Sequence, residues 1–92
     1  MEIRDLETAY GILKFGIRAE DVMLTEYRGK DIELVVPERV ADRPVSIIGK
    51  KAFLGARELQ RLFLPEGITA IQDWAFACCG ALEVLVLPGK KL

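Results

Sequence analysis

The sequence predicts a β-rich solenoid, a short stack of chain coils that share one parallel sheet, and three observations carry that prediction. Residues 46–65 (SIIGKKAFLGARELQRLFLP) align without a gap on residues 69–88 (TAIQDWAFACCGALEVLVLP) at a shift of 23, and seven of the 20 aligned pairs are identical. The identical pairs are Ile48 with Ile71, Ala52 with Ala75, Phe53 with Phe76, Leu59 with Leu82, Leu62 with Leu85, Leu64 with Leu87 and Pro65 with Pro88. All are apolar, while the positions between them change freely, as when coils share an interior but not a surface. A fainter copy lies upstream, where Leu34, Val36 and Pro37 correspond to Leu62, Leu64 and Pro65 at a spacing of 28. Finally, 92 residues with 51% hydrophobic and 29% charged content suit one small folded domain.

The coil elements follow in order. The five residues by which the first spacing exceeds the second fall within 38–47, around the turn-forming Ala41-Asp42-Arg43-Pro44. Short strands are predicted near 32–36, 60–64 and 83–87. In L-x-x-L-x-L-P, Leu62 and Leu64 point inward at period two and Leu59 covers them from the approach. Pro65 then ends the strand, because it has no N–H to give to a ladder. The return path begins at Ala-Phe, residues 52–53 and 75–76: Ala lets the neighbouring coil pass close, and Phe fills the interior. Loops or single helical turns are expected near 50–56 and 73–80. A unit of this length cannot bury its apolar side alone, so the coils must stack.

The pattern I-x-x-x-A-F-x-x-(small or Cys)-x-x-L-x-x-L-x-L-P at 23 residues resembles the BspA-like leucine-rich-repeat family of bacterial and some protist surface proteins. The resemblance covers about residues 9–92 and implies an α/β-type, β-rich leucine-rich-repeat solenoid. It places Ala56 and Cys79 at an inner small-residue position, making Cys79 a buried structural thiol. Cys78 aligns with Gly55 and is expected nearer the surface. Val22-Met-Leu-Thr-Glu-Tyr-Arg-Gly29 is similar to the strand and turn that precede the first coil in such proteins. Residues 9–27 then read as a hairpin connected through 16–21 that closes the N-terminal end of the stack. For residues 1–8 a helical turn and an arm both stay open. The implied division is an arm and hairpin cap over 1–30 and coils over 31–92, one domain overall or a piece of a longer array.

Chemistry has little to work with. The sequence has no His, no Asn, one Ser and two Cys that are neighbours, and formal net charge is −1. These absences disfavour hydrolytic and metal sites, and the charge disfavours nucleic acid as a partner. No catalytic residue, cofactor or metal ligand is assigned. The acids Asp31, Glu33, Glu38, Asp42, Glu58, Glu66, Asp73 and Glu83 lack a base or nucleophile arranged with them. Ser46 aligns with Thr69 at the turn into a coil, which suits a local bond from side chain to backbone. Phosphate loops of the G-x-x-x-x-G-K type are missing. Apolar runs fall far short of the roughly 20 residues of a membrane helix, so no membrane insertion is expected. No signal peptide is visible at the start. This favours the cytoplasm for the chain as written, with the cell surface the alternative that the resemblance implies.

Surface shape remains. Outward positions on the strands form one row of Glu33, Arg61 and Val84 and a second, wholly apolar row of Val35, Phe63 and Val86. Such a stripe marks a protein-binding surface, unless the segment 1–8 covers it. Trp74 aligns with Lys51 and is expected outward, either as an anchor for a partner or lying on a next coil. The expected protein-interaction residues are therefore Val35, Arg61, Phe63, Trp74 and Val86. At the C-terminal end Phe76, Leu82, Leu85 and Leu87 are expected to show apolar surface and to pair two chains into a homo-oligomer. The function expected is a non-catalytic protein-interaction module, with an adhesin-like role the one that the resemblance implies. A structural segment of a longer array and a small enzyme or ligand-binding domain are the competing readings.

Overall fold

A computed structural model describes residues 2–86. Among the described residues nine strands form in chain order: β1 (Glu2–Glu7), β2 (Gly11–Ile17), β3 (Val22–Gly29), β4 (Glu33–Val35), β5 (Arg39–Val40), β6 (Arg43–Ile48), β7 (Arg61–Phe63), β8 (Ala70–Ile71) and β9 (Val84–Val86). They make two sheets. One runs β1-β2-β3-β6-β5 with β8 also on β6, and the other runs β4-β7-β9. No helix occurs among the described residues, so the return path follows the loop alternative.

The N-terminal cap contains the expected hairpin as β2 and β3, and β1 adds a third antiparallel strand, a correction to both readings of the leading segment. Residues 2–7 are neither a helical turn nor a free arm: β1 pairs with β2 from Glu2↔Ile17 to Glu7↔Ile12. Alternation in β1 is legible afterwards, but three acids and an arginine conceal it. On β2 the inward residues are Leu13, Phe15 and Ile17, and on β3 they are Val22, Leu24 and Tyr27, all buried. Leu24 and Tyr27 are three apart, so strict alternation would turn one of them outward. A bulge resolves this: Lys14 faces Glu26 and Phe15 faces Leu24, leaving Thr25 as the extra residue.

The cap docks by standing in for a coil. β3 lies parallel to β6, which lies parallel to β8. Gly49 N–H donates to the Leu24 carbonyl at 2.8 Å and Tyr27 N–H to the Ala52 carbonyl at 2.8 Å. One coil further on, Phe53 N–H donates to Ala75 at 2.8 Å and Gly55 N–H to Ala77 at 2.9 Å, so backbone ladders on the return path join coil to coil.

The five extra residues build a hairpin, β5 to β6, with Arg39↔Pro44 and Val40↔Arg43. Its two-residue turn holds Ala41 at φ 52° and Asp42 at φ 63°, the left-handed pair that matches strand twist in tight hairpins. On the return path, tight turns replace a helix. In the first coil they close from Ala52 N–H to Gly49, Leu54 N–H to Lys51 and Ala56 N–H to Phe53. Left-handed residues recur at equivalent places in the two coils, Lys51 (φ 60°) with Trp74 (φ 63°) and Gly55 (φ 74°) with Cys78 (φ 61°). A left-handed residue cannot continue a right-handed helix, so each one redirects the chain.

The core lies between the two sheets and the return turns. It contains Leu13, Phe15, Val22, Leu24, Leu34, Val36, Val45, Ile48, Ala52, Phe53, Ala56, Leu59, Leu62 and Leu64, all buried. Phe53 sits at its centre, its ring 5.6 Å from Tyr27 and 5.5 Å from Phe76 by centroids.

Candidate interaction surface

The second sheet assembles the predicted rows in register. Glu33 stands beside Arg61 and Arg61 beside Val84; Leu34, Leu62 and Leu85 form the middle row; Val35, Phe63 and Val86 form the third. Inward pointing of the middle row is seen in the buried Leu34 and Leu62. The third row faces out: Val35 is 65% exposed, Val86 is exposed, and Phe63 is half-buried. Segment 2–7 does not cover it, because β1 is committed to β2 in the other sheet. Arg61 is not free, since its Nε donates to Glu33 Oε1 at 2.9 Å across neighbouring strands. An exposed pair of this kind adds about 0–1 kcal/mol and mainly presents a neutralised edge beside the apolar row.

Of the predicted interaction residues, the sheet brings Val35, Arg61, Phe63 and Val86 together. Trp74 stands apart, 67% exposed on the return turns and outside both sheets. At the C-terminal end Phe76 and Leu82 are half-buried against the core, while Leu85 is 38% exposed. Leu87 lies outside the described residues, as does Pro88.

Cys78 is exposed, nearer the surface as expected, whereas Cys79, expected to be buried like its counterpart Ala56, is only half-buried because among the described residues no further coil covers it. The Cys79 thiol donates to the Phe53 carbonyl at 3.0 Å. Burial pushes the Cys79 thiol up from its ordinary pKa, which disfavours the reactive thiolate. Among the described residues no three His, Cys, Asp or Glu side chains are grouped as metal ligands.

Two polar sites depart from expectation. Ser46 does not bond the backbone: its hydroxyl donates to Asp21 Oδ2 at 2.8 Å, and Arg18 holds Oδ1 of the same carboxylate at 2.9 Å. The parallel register Val22↔Val45 brings β6 alongside the cap loop and sets Ser46 against Asp21, a contact between residues 25 apart in sequence.

Asp31 is the residue that sequence reasoning missed. It is only 3% exposed. Its Oδ2 accepts the hydroxyls of Thr8 (2.5 Å) and Tyr27 (2.6 Å), and its Oδ1 accepts the Tyr10 N–H (3.0 Å). The Asp31 N–H in turn donates to the Tyr27 hydroxyl at 2.9 Å. One carboxylate therefore ties the β1–β2 turn, the end of β3 and the entry to the coils. Burial pushes its pKa up, but the hydrogen bonds outweigh this and hold it below its ordinary 3.8. Tyr27 moves the other way, pushed well above its ordinary value by burial first and by the Asp31 carboxylate second. With its oxygens engaged by these donors, Asp31 acts as a structural knot. The visible signal was Gly29 in the tight approach to it: a Cβ there would lie 2.7 Å from both the Tyr10 carbonyl and the Tyr27 hydroxyl.

Parallel three-residue strands in register, coil-to-coil ladders and turns for the return path define a leucine-rich-repeat solenoid. Two solved structures share this fold. The leucine-rich-repeat protein of T. pallidum superposes with a TM-score of 0.81 at 29% identity, covering 92% of this chain and 40% of that one. A leucine-rich-repeat protein from Bacteroides capillosus superposes with a TM-score of 0.74 at 23% identity, covering 91% of this chain and 65% of that one. The chain thus spans 40% and 65% of the lengths of these neighbours. No family model matches the sequence, and no curated protein matches it.

Proposed function

We propose that this chain is a non-catalytic protein-interaction module of the BspA-like type, which binds a protein partner through the apolar row Val35, Phe63 and Val86. The observation that carries this reading is the row itself: three apolar side chains on adjacent strands, in register and facing away from the core. Phe63 is its central and largest member, the place where a partner gains most from excluding water. Arg61, neutralised by Glu33, borders the row and lets an apolar surface approach without stranding a charge. Trp74, on the return turns, is a second and separate anchor.

The test compares wild type, Phe63→Glu and Trp74→Ala as immobilised baits against extract of the source organism. A partner retained by wild type and lost from Phe63→Glu, with circular dichroism unchanged, supports the row. Equal retention by both defeats it. Loss from Trp74→Ala alone moves the site to the return turns.

A second reading concerns the C-terminal flank. Leu85 is 38% exposed whereas its counterpart Leu62 is fully buried, and nothing among the described residues pairs with the outer edge of β9. Pairing two chains through Phe76, Leu82 and Leu85 would cover that flank by a two-fold contact. Light scattering across a dilution series decides it. Wild type should dimerise and Leu85→Lys should not; a wild type monomeric at high micromolar concentration removes the idea.

A further inference from the structure

The strand β1 is the unusual element of the molecule. All six of its residues are exposed although they are hydrogen-bonded in a sheet, so β1 contributes almost nothing to the core. It is also the last strand of that sheet, and nothing among the described residues pairs with its outer edge.

Which backbone groups face that edge follows from the register. Thr8 N–H donates to the Gly11 carbonyl at 2.9 Å, which makes Thr8 and Gly11 a hydrogen-bonded pair. Bonded and non-bonded pairs alternate along an antiparallel ladder. Leu6, Arg4 and Glu2 therefore bond to Leu13, Phe15 and Ile17, and the N–H and C=O groups of Ile3, Asp5 and Glu7 point outward. No bulge interrupts β1, and it carries no proline. An added strand would find a straight ladder.

A second copy of the chain is a poor occupant. Antiparallel self-pairing must match outward residues with outward residues. The best-overlapping register sets Asp5 against Asp5, and sliding by one step either way sets Arg4 against Arg4 or Asp5 against Glu7. Like charges directly opposed destabilise a strand pair, so β1 resists its own kind.

A different partner is specified by the same charges. Outward-bonding positions opposite Glu7, and opposite Asp5, whose carboxylate also meets Lys14 Nζ of β2 at 3.4 Å on its other side, call for basic residues, and the position opposite Ile3 for an apolar one. On the inner face, Leu6 borders a groove of about 290 Å³ lined also by Phe15, Pro37, Arg39 and Val40. The residue opposite Leu6 points toward that groove and should be apolar, and the residue opposite Arg4 should be acidic. We infer that β1 is a second docking edge, at which an extended segment of another protein, with basic residues at alternate positions, adds to the cap sheet as an antiparallel strand. This edge belongs to the other sheet from Val35, Phe63 and Val86, and stands whether or not that row binds anything.

The probe is the peptide acetyl-Lys-Val-Lys-Glu-Ile-Lys-amide, written to face Glu7 through Glu2, with the charge-reversed Glu-Val-Glu-Lys-Ile-Glu as comparison. Amide shifts and hydrogen exchange are followed by NMR on the full chain. The first peptide should slow exchange at Ile3, Asp5 and Glu7, and the second should bind at least about tenfold more weakly. Asp5→Pro removes one outward donor and the Asp5–Lys14 ion pair but none of the backbone bonds to β2, and should abolish binding. Should that variant fail to fold, the double variant Asp5→Lys with Glu7→Lys keeps the backbone and should reverse the preference. Equal binding of the two peptides, shifts outside β1 and the groove, no binding to either, or protection of these amides by self-association without peptide would each overturn the proposal.

Discussion

The two coils carry the same apolar residues and bury them to different depths. Ile48 is fully buried and Ile71 is 44% exposed; Leu62 is fully buried and Leu85 is 38% exposed; Phe53 is enclosed while Phe76 is half-buried. Their backbone is alike, down to left-handed residues at equivalent positions. The first coil has a neighbour on both sides, the cap at β3 and the second coil at β8 and β9. Among the described residues the second has a neighbour on one side only. Position in the coil is set by the repeat, and depth of burial is set by what stacks upon it.

Removing the same side chain from each coil tests this most strongly. Phe53→Ala should cost about 3–5 kcal/mol, the range for emptying a core aromatic site. Phe76→Ala should cost about half as much, because its site already meets solvent and leaves less of a cavity. Urea denaturation of the two variants measures the difference, and equal losses would show that the second coil is covered in solution.

The first coil owes its burial to the cap, so cutting the knot should expose it. Asp31→Ala leaves the Tyr27 and Thr8 hydroxyls without their acceptor and should cost about 2–3 kcal/mol. Because the Asp31 pKa is lower folded than unfolded, its contribution is full above about pH 4 and lost as pH falls through the folded value. Tyr27 has the opposite sense: its pKa is raised, so its contribution holds below about pH 10 and is lost as pH rises beyond that. Unfolding free energies measured across pH should show both limbs, and Asp31→Asn should flatten the acid one.

Smaller effects sharpen the comparison further. Cys78 adopts the left-handed conformation that Gly55 occupies one coil earlier, and its exposed side chain makes no hydrogen bond among the described residues. Cys78→Gly should stabilise by up to about 1 kcal/mol, the relief of strain being partly offset by greater freedom when unfolded. Gly55→Cys should destabilise by a similar amount, which thermal melts of both variants check. Smallest of all, Phe63→Glu should change stability by about 0.5 kcal/mol or less, since that side chain faces away from the core. A loss matching that of Phe53→Ala would reverse the inward and outward assignment of the sheet.

The parts of the fold that repeat were legible from residue spacing. The seven identities and the echo at Leu34, Val36 and Pro37 led to the middle row and the apolar outer row, both in the register observed. The cap was less legible. Its β1 carries Glu2, Arg4, Asp5 and Glu7 on a strand that buries nothing, so no apolar face announced it. The bulge at Thr25 breaks the alternation of β3, and Ser46 finds its partner in a loop 25 residues away. Trp74 was placed outward by alignment with Lys51, but its separation from the apolar row depends on how the return turns travel.

From the sequence alone came the period, the inward face of each coil and the points at which proline ends a strand or a turn is formed. These are local constraints, expressed by neighbouring residues through sterics and alternation. The tertiary structure alone decided which copy of each leucine is buried, how a non-repeating meander imitates a coil, and why Asp31 is enclosed. Each of those depends on surfaces brought together from distant parts of the chain, and a side chain loses contact with water only when a second surface arrives to cover it.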